Sequence, residues 1–521
     1  MKVDLYDTTL RDGMQGEGVA FSLEDKLRLT RVFDDLGIQY IEGGWPGANP
    51  KDAEYFRRVR EVRLNHAIVT AFSYTGRVGV PPAEDANIAT VLAAHTPVVT
   101  IVGKSWDMHV HEVLRTSLDE NLRMIRETVR FLRSQGRRVF YDAEQFFDGY
   151  KANASYALQT IQAARDGGAE IVILCDTNGG TMPWEVEEIL RAVRANLGIP
   201  VGIHAHNDCE LGVANTLAAV RAGATQVQGT VNGIGERVGN ANLCSIIANL
   251  KLKMDVDCLD GEKLQRLTEV ARLIGDLLDR PLDPRAPFVG ESAFAHKAGL
   301  HADATFKCRQ SYQHIRPELV GNRTRVLLSE LAGKSSVLMK AAEFGPDYEV
   351  GKEEAVRIAQ KIKDLESEGL SFENAEASAK LLFLRMRDGY RPAFTILDYG
   401  VAMEGKEREG PRVEARCRVR DGEEIREGRA VRHDPVHALH AALVDALAPA
   451  HALLAGVSLR NYRAHVLKNE SGVERKHRVL AETALGDRSW WTVGCSANQI
   501  AAGWQAVVDG VEYLLARSGA V

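Results

Sequence analysis

Two histidines separated by one residue are the strongest chemical signal in the chain. His204 and His206 follow a short apolar run and precede Asn207 and Asp208. Alternate side chains of a β-strand point to the same side, so both imidazoles can reach one ion from the end of a strand. A pair of hydrogen-bonded core histidines is the alternative. Their place at the end of a predicted barrel strand, where active sites of that fold lie, favours a metal site.

A carboxylate that could complete this site lies near the N-terminus. Asp12 follows the first predicted strand, directly after Arg11 and before Gly13. In a closed barrel the first strand neighbours the eighth and lies near the seventh, so Asp12 can approach the histidine pair. Two imidazoles and one carboxylate suit Mn²⁺, Mg²⁺, Co²⁺ or Zn²⁺ and leave positions open for substrate oxygens. For Asp12 alone, a capping role in a turn is the alternative.

Two further side chains at predicted strand ends could act on a bound carbonyl compound. The Arg11 guanidinium can hold a carboxylate or stabilise negative charge on a carbonyl oxygen, and its alternative role is a salt bridge with a neighbouring acid. Glu144 ends the fifth predicted strand, two residues after Asp142. It is a candidate general base, because a carboxylate shielded from water can have a raised pKa. The alternative is a structural carboxylate paired with an arginine.

A glycine-rich loop, residues 232–240, follows the eighth predicted strand. Its glycines allow the backbone to approach a ligand closely. Glu236 and Arg237 could pair beside the metal site, and Asn240 could supply an oxygen to the ion. Glycine-rich turns are common, so this loop is a weak signal by its spacing alone.

Strand and helix patterns alternate eight times over residues 1–275 and would position these groups. The strand-like runs are rich in Val, Ile and Thr, as expected of strands buried on both faces, and amphipathic segments separate them. One such segment begins after Ser22, a plausible N-cap, and stops at Gly37. The alternation predicts a (β/α)8 TIM barrel. A doubly wound open sheet is the rival, and eight repeats without GxGxxG after the first strand favour the barrel.

Two further regions follow the predicted barrel. Residues 276–393 lose the strand rhythm, contain Pro- and Gly-punctuated and helical segments, and are predicted to form linker or lid subdomains. Residues 394–521 show three strand patterns and a helix pattern, and this order then recurs. We therefore expect a C-terminal α+β domain with two βββα units.

Bulk composition narrows the class of protein. The chain has 521 residues and a formal net charge of -6, with no Lys/Arg block. Neither a nucleic acid nor a membrane is an expected partner. The N-terminus does not resemble a signal peptide, and the seven Cys contain no CxxC pair. These features predict a cytoplasmic protein with reduced thiols.

Several motifs in barrel order resemble those of one enzyme family. They are RDGMQ at 11–15, Asp176-Thr177, the stretch from His204 to Asn215, NGIGERVGNA at 232–241, and GLHAD at 299–303. Together they resemble the metal-dependent Claisen-condensing synthases, which include 2-isopropylmalate, citramalate and homocitrate synthases. The C-terminal stretch from TVGCSANQ onward is similar to the regulatory domain of that family.

The resemblance implies a role for each matching residue. It implies metal binding by Asp12, His204 and His206, with Asn240 as a further or indirect ligand. It implies that Arg11 and Thr177 hold a 2-oxo acid. It also implies that Glu144 acts with His301 to remove or shuttle the proton of the acetyl-CoA methyl group. Tyr312, just after the His301 segment, matches a catalytic tyrosine of the family. The expected reaction joins acetyl-CoA to a short 2-oxo acid and then hydrolyses the thioester.

The resemblance also suggests the oxo acid, an effector and an assembly. Residues 41–52, IEGGWPGANPKD, resemble the branch of the family that uses pyruvate. The enzymes that use 2-oxoisovalerate usually have a Phe-Pro turn at this place. Trp45 could crowd the pocket or be an ordinary core aromatic. We expect isoleucine as effector of the C-terminal domain, and a homodimer that covers exposed strand edges. A lyase of the same barrel family and a barrel that senses metabolites without catalysis are the other hypotheses.

Overall fold

The computed structural model describes residues 1–297, 299–406, 410–467 and 476–517. The chain divides into two compact units. The barrel unit comprises Met1–Phe294 and Ile315–Arg323, and the second unit comprises Ala295–His314 and Thr324–Val521. No helix in the described part of the chain is both long and apolar enough to span a membrane.

The barrel unit is built on eight parallel strands that close into a barrel in sequence order. The strands are β1 (Asp4–Asp7), β2 (Tyr40–Gly44), β3 (Ile68–Tyr74), β4 (Val98–Lys104), β5 (Arg138–Glu144), β6 (Ile171–Asp176), β7 (Val201–Ala205) and β8 (Gln226–Gly229). Pairing of β1 with β8, from Asp4 opposite Gln226 to Asp7 opposite Gly229, completes the closure. The predicted (β/α)8 fold is confirmed, and the open-sheet alternative is wrong.

Helices surround these strands. They are α1 (Leu23–Leu36), α2 (Pro50–Val59), α3 (Ala86–Ala93), α4 (Asp107–His109), α5 (Leu118–Ser134), α6 (Phe146–Gly167), α7 (Pro183–Leu197), α8 (Gly212–Arg221), α9 (Leu243–Leu252), α10 (Gly261–Leu264) and α11 (Leu267–Leu277). Helix α1 begins with a capping box in which Ser22 accepts from the Asp25 backbone N–H. It ends at Gly37 with φ of 97°, a left-handed conformation that favours glycine.

The barrel interior is filled by a separate apolar layer beneath the carboxyl ends of the strands. Tyr6, Tyr40, Phe140 and Ile173 are buried there, at positions that alternate with those facing the helices. The Tyr6 hydroxyl hydrogen-bonds Glu42 at 2.8 Å. This layer closes the barrel and supports the polar groups above it.

Two irregular segments follow β4 and β5 and were not predicted. A π-helical turn, Val110–Leu114, ends at Arg115 with φ of 53°. Helix α6 is kinked at Asn153, whose side chain donates to the Asp107 carboxylate at 2.8 Å. Such interruptions replace the regular i→i−4 bonding that the sequence pattern assumes, and they are frequent near functional sites.

The second unit contains the remaining strands and helices. Its strands are β9 (Ala295–His296), β10 (Arg325–Val326), β11 (Thr395–Lys406), β12 (Gly410–Asp421), β13 (Glu424–Arg432), β14 (Val457–Leu467), β15 (Lys476–Leu485) and β16 (Arg488–Ser496). Its helices are α12 (Gly299–Lys307), α13 (Lys334–Phe344), α14 (Lys352–Ser367), α15 (Glu376–Arg385), α16 (Pro435–Leu447) and α17 (Gln499–Arg517).

Strands β11 to β13 and β14 to β16 form two antiparallel three-stranded sheets, each followed by a helix. The βββα arrangement is therefore present twice, as predicted. Helices α16 and α17 pack in one core with both sheets, where Leu439, Leu443, Trp504 and Val507 are buried. The domain boundaries at 275 and 393 stay predictions, since compactness divides the chain at other points.

Candidate metal centre and active site

The carboxyl ends of the barrel strands bring Asp12, His204 and His206 together. One ligand atom from each lies within 4.8 Å of the others, and all three residues are buried. His204 Nε2 lies 3.2 Å from Asp12 Oδ2. Ligand atoms about 2.1 Å from one ion and at right angles lie about 3 Å apart, so this spacing fits two adjacent ligands. Among the described residues, this is the one cluster of three such side chains.

The electrostatic environment favours the metal-binding protonation states of Asp12 and His206. At His204 burial acts to lower the pKa, but the contact with Asp12 outweighs it and raises this pKa. Burial acts to raise the pKa of Asp12, but Arg11 and the two histidines outweigh it and hold this pKa well below its usual range. Burial, and then the neighbouring His204, lowers the pKa of His206 to about 4. An ionised carboxylate and a neutral imidazole are the forms that metals bind.

Unpartnered buried atoms also fit a bound cation. His206 Nδ1 and Asn240 Oδ1 are both buried with no hydrogen-bond partner among the described residues. Asn240 lies beside His206 because their backbones form an isolated antiparallel bridge. Buried polar atoms without partners are rare, and both His206 Nδ1 and Asn240 Oδ1 are atoms that can bind a cation. These residues fit a divalent ion, with Asn240 as a further or indirect ligand.

The glycine-rich loop after β8 must fold tightly to bring Asn240 to this place. The Asn240 backbone N–H donates to Gly233 O at 3.1 Å. Gly239 has φ of 104°, and a Cβ there would lie 1.9 Å from Gly233 O. Arg237 pairs more closely with Asp208, at 2.7 Å, than with Glu236, at 3.9 Å. The expected Glu236–Arg237 pair is therefore present, but Asp208 is the closer partner of Arg237.

Arg11 is fixed beside the triad by a partner that the sequence analysis missed. Its Nε donates to Glu42 Oε2 at 2.6 Å, and its Nη1 lies 3.5 Å from Asp12 Oδ2. The guanidinium carbon lies 3.9 Å from the centre of the Phe72 ring. The fully buried Glu42 therefore orients Arg11. Arg11 forms the salt bridge that was its alternative role, and it also lies beside the metal cluster.

Glu144 lies at the end of β5 and forms an ion pair. Its Oε2 is 2.5 Å from Lys104 Nζ, at the end of β4, and its side chain is 25% exposed. The alternative of a carboxylate paired with a cation is thus present, although the cation is a lysine and not an arginine. Its position at the barrel mouth leaves the general-base role open as a prediction.

Thr177 follows β6 and contacts the same rim. Its hydroxyl accepts from the Gln145 backbone N–H at 2.9 Å, and its carbonyl accepts from Arg237 at 2.7 Å. Gln145 has φ of 53°. These hydrogen bonds hold Thr177 in place between the ends of β5 and β6. Its contact with a 2-oxo acid stays a prediction.

His301 and Tyr312 belong to the second unit. Their rings stack with centroids 4.3 Å apart, and Tyr312 is exposed. The two side chains are thus neighbours within this unit. Their catalytic roles stay predictions.

Trp45 is a half-buried aromatic at the end of β2. Its indole N–H donates to Asn87 at 3.0 Å, and its ring packs edge-on against Tyr74 at 5.2 Å and Phe72 at 6.4 Å between centroids. Phe72 in turn lies under Arg11. Trp45 therefore belongs to an aromatic wall next to the Arg11 site.

Glu42, Lys104 and Gln228 contact predicted site residues and were missed. Each lies at an inward-facing position near the carboxyl end of its strand. Two-residue alternation counted from each strand end could have identified them as inward-facing residues, but not the residues that they contact.

Comparisons with known proteins match every region of this architecture. Residues 2–274 match the HMGL-like family, residues 288–369 the homocitrate synthase post-HMGL domain-like family, and residues 373–515 the LeuA allosteric (dimerisation) domain. The (R)-citramalate synthase of Geobacter sulfurreducens is 46% identical over 517 residues, which cover 99% of this chain and 98% of the relative. The (R)-citramalate synthase of Aquifex aeolicus is 48% identical with the same coverage. The 2-isopropylmalate synthase of Methanocaldococcus jannaschii is 28% identical over 99% of this chain and 95% of the relative.

Fold and site define a (β/α)8-barrel enzyme with a candidate divalent-metal centre at the carboxyl ends of its strands. The chain belongs to the HMGL-like family, in the group that contains the (R)-citramalate, 2-isopropylmalate and homocitrate synthases.

Proposed function

We propose that the chain catalyses the reaction of an (R)-citramalate synthase, the Claisen condensation of acetyl-CoA with pyruvate. The observation that carries the proposal is the buried Asp12–His204–His206 cluster beside Arg11, in a chain that matches (R)-citramalate synthases over nearly its full length. The cluster can hold a divalent ion, and the guanidinium can hold the carboxylate or the developing oxyanion of a 2-oxo acid.

Asp12, His204 and His206 would bind the ion, and Asn240 Oδ1 would turn towards it directly or through water. Bound there, Mn²⁺, Mg²⁺, Co²⁺ or Zn²⁺ would supply a Lewis acid that polarises the ketone of the oxo acid. All four ions belong to the proposal, because mixed nitrogen and oxygen donors suit several metals.

The protein's own groups account for the remaining chemistry. Glu144, assisted by His301, takes a proton from the acetyl methyl group, and the resulting carbon nucleophile forms a C–C bond to the keto carbon of pyruvate. Arg11 stabilises the negative charge that moves to the former keto oxygen, and Glu42 keeps the guanidinium in place. Water then cleaves the thioester, which releases the CoA thiol and citramalate.

Pyruvate is the proposed oxo acid because the wall beside Arg11 is bulky. Phe72 lies against the guanidinium, and Trp45 and Tyr74 pack next to it. A methyl group needs less room than the isopropyl group of 2-oxoisovalerate. If the wall leaves room for the isopropyl group, the activity is that of a 2-isopropylmalate synthase, which is the alternative.

A panel of 2-oxo acids tests the proposal. We expect release of CoA thiol with pyruvate, and kcat/KM for 2-oxoisovalerate lower by roughly 10- to 200-fold, as hydrophobic pockets discriminate between substrates of different size. The measurement is thiol release from acetyl-CoA at saturating Mn²⁺. Faster turnover of 2-oxoisovalerate would move the assignment to the leucine branch, and cleavage without condensation would identify a lyase.

We also propose regulation and assembly through the second unit, in a cytoplasmic enzyme whose thiols stay reduced. Two βββα units in a LeuA-type domain support isoleucine as effector and a homodimer. Isoleucine at millimolar concentration should lower turnover of the full-length chain more than leucine does. Initial rates across a titration of each amino acid measure this, and equal rates throughout would reject the effector.

A further inference from the structure

A hydrogen-bonded chain connects the metal cluster to the opposite side of the barrel interior. His204 Nδ1 lies 2.9 Å from Gln228 Oε1, and Gln228 Nε2 donates to Asp142 Oδ1 at 3.2 Å. The three side chains come from β7, β8 and β5 and are 5%, 0% and 3% exposed. We propose that Gln228, oriented by Asp142, is a positioning residue that fixes the tautomer and ring orientation of His204 for metal binding. This inference rests on the metal site proposed above.

The direction of the chain follows from the chemistry of its ends. The Gln228 amide presents its NH₂ group to Asp142, since its Nε2 donates to Asp142 Oδ1. Burial, followed by the charge of Glu42, raises the pKa of Asp142 to about 7, and a carboxyl group keeps a carbonyl acceptor in either form. Gln228 Oε1 then faces His204, and an amide oxygen can only accept. The hydrogen of the neutral His204 ring is therefore on Nδ1.

Placing the hydrogen on Nδ1 leaves a lone pair on Nε2. This is the atom 3.2 Å from the Asp12 carboxylate, on the side of the ring that faces the cluster. Partners that donate to or accept from the second nitrogen of a metal-binding imidazole fix its tautomer and typically contribute 10- to 100-fold in metal affinity. Gln228 meets this description at His204, whose Nδ1 lies 2.9 Å from Gln228 Oε1.

The strand that carries Gln228 also supplies a matched control. Gln226 lies two residues earlier in β8, has the same side chain, and is 2% exposed. Its Oε1 has no hydrogen-bond partner in the described part of the chain. Replacement of Gln226 by leucine changes the packing of the barrel interior to a similar degree and leaves His204 Nδ1 with its acceptor. Loss of metal affinity at Gln228 but not at Gln226 separates positioning from packing.

The experiment titrates Co²⁺ alone into the metal-stripped full-length chain and follows the visible absorption of the bound ion. We expect Gln228→Leu to weaken Co²⁺ binding by about 10- to 100-fold and to change the absorption band, whereas Gln226→Leu binds as the native chain does. The double variant Gln228→Glu with Asp142→Asn exchanges amide and carboxylate, so an acceptor still faces His204 Nδ1. It should recover about tenfold of the lost affinity.

The outcomes separate the two levels of the proposal. A native chain that binds no Co²⁺ overturns the metal site itself. A native chain that binds Co²⁺, with Gln228→Leu binding equally tightly or Gln226→Leu losing as much, overturns the positioning role alone. If Gln228→Leu does not fold, as judged by circular dichroism, the double variant decides. A folded double variant that binds Co²⁺ more weakly than the native chain by about 100-fold or more rejects the role.

Discussion

Asp12→Asn is expected to lower kcat/KM for pyruvate by a factor on the order of 10³ or more. The substitution keeps the shape of the side chain and removes the only charged donor of the cluster. A bound cation contributes several kcal/mol to charge stabilisation, and each 1.36 kcal/mol corresponds to a tenfold change in rate. Thiol release at saturating Mn²⁺ gives the rate, and the metal content after gel filtration shows whether binding is the property lost.

The matched control for this variant is Asp35→Asn. Asp35 is an exposed carboxylate on α1, 3.8 Å from Arg266 and outside the cluster. We expect native turnover and native metal content from this control. An Asp12→Asn protein that retained both would show that the carboxylate is not a ligand, and the two histidines alone would have to explain any metal binding.

Glu144→Gln is expected to lower kcat by about 10²- to 10⁴-fold, the usual contribution of a general base. The KM for pyruvate should change little, because Arg11 and the metal cluster are intact in this variant. Gln cannot take the methyl proton, although it can still contact Lys104. Steady-state thiol release with each substrate varied in turn separates kcat from KM.

Glu170→Gln is the control for this loss of charge. Glu170 pairs with Arg138 at 2.6 Å on the exterior, so its replacement should leave kcat unchanged. If Glu144→Gln retained kcat within about threefold while His301→Asn lost it by about 10²-fold or more, the histidine would be the base. Glu144 would then be a structural partner of Lys104.

The barrel could be predicted from sequence because its determinants are local. Eight apolar runs, the cap at Ser22 and the stop at Gly37 are each decided by a few neighbouring residues. The metal ligands could also be predicted, since His204 and His206 lie on one face of a strand and Asp12 follows β1, which lies near β7 in the closed barrel. Two-residue spacing and strand order were sufficient to bring these groups together.

The partners of the site residues could not be predicted in the same way. Glu42 reaches Arg11 across 31 residues, and Gln228 lies between His204 and Asp142 only because the strands are staggered as they are. Register between strands depends on the whole closed barrel and not on local pattern. The pairing of Glu144 with Lys104 is of the same kind, since it depends on β4 and β5 ending side by side.

We propose that a divalent ion held by Asp12, His204 and His206 is required for condensation of acetyl-CoA with pyruvate. The most direct measurement is thiol release by the full-length chain after exhaustive chelation, before and after addition of Mn²⁺. We expect release to fall to the background rate without metal and to return when Mn²⁺ is restored. Full turnover by a protein shown to contain no metal would contradict it.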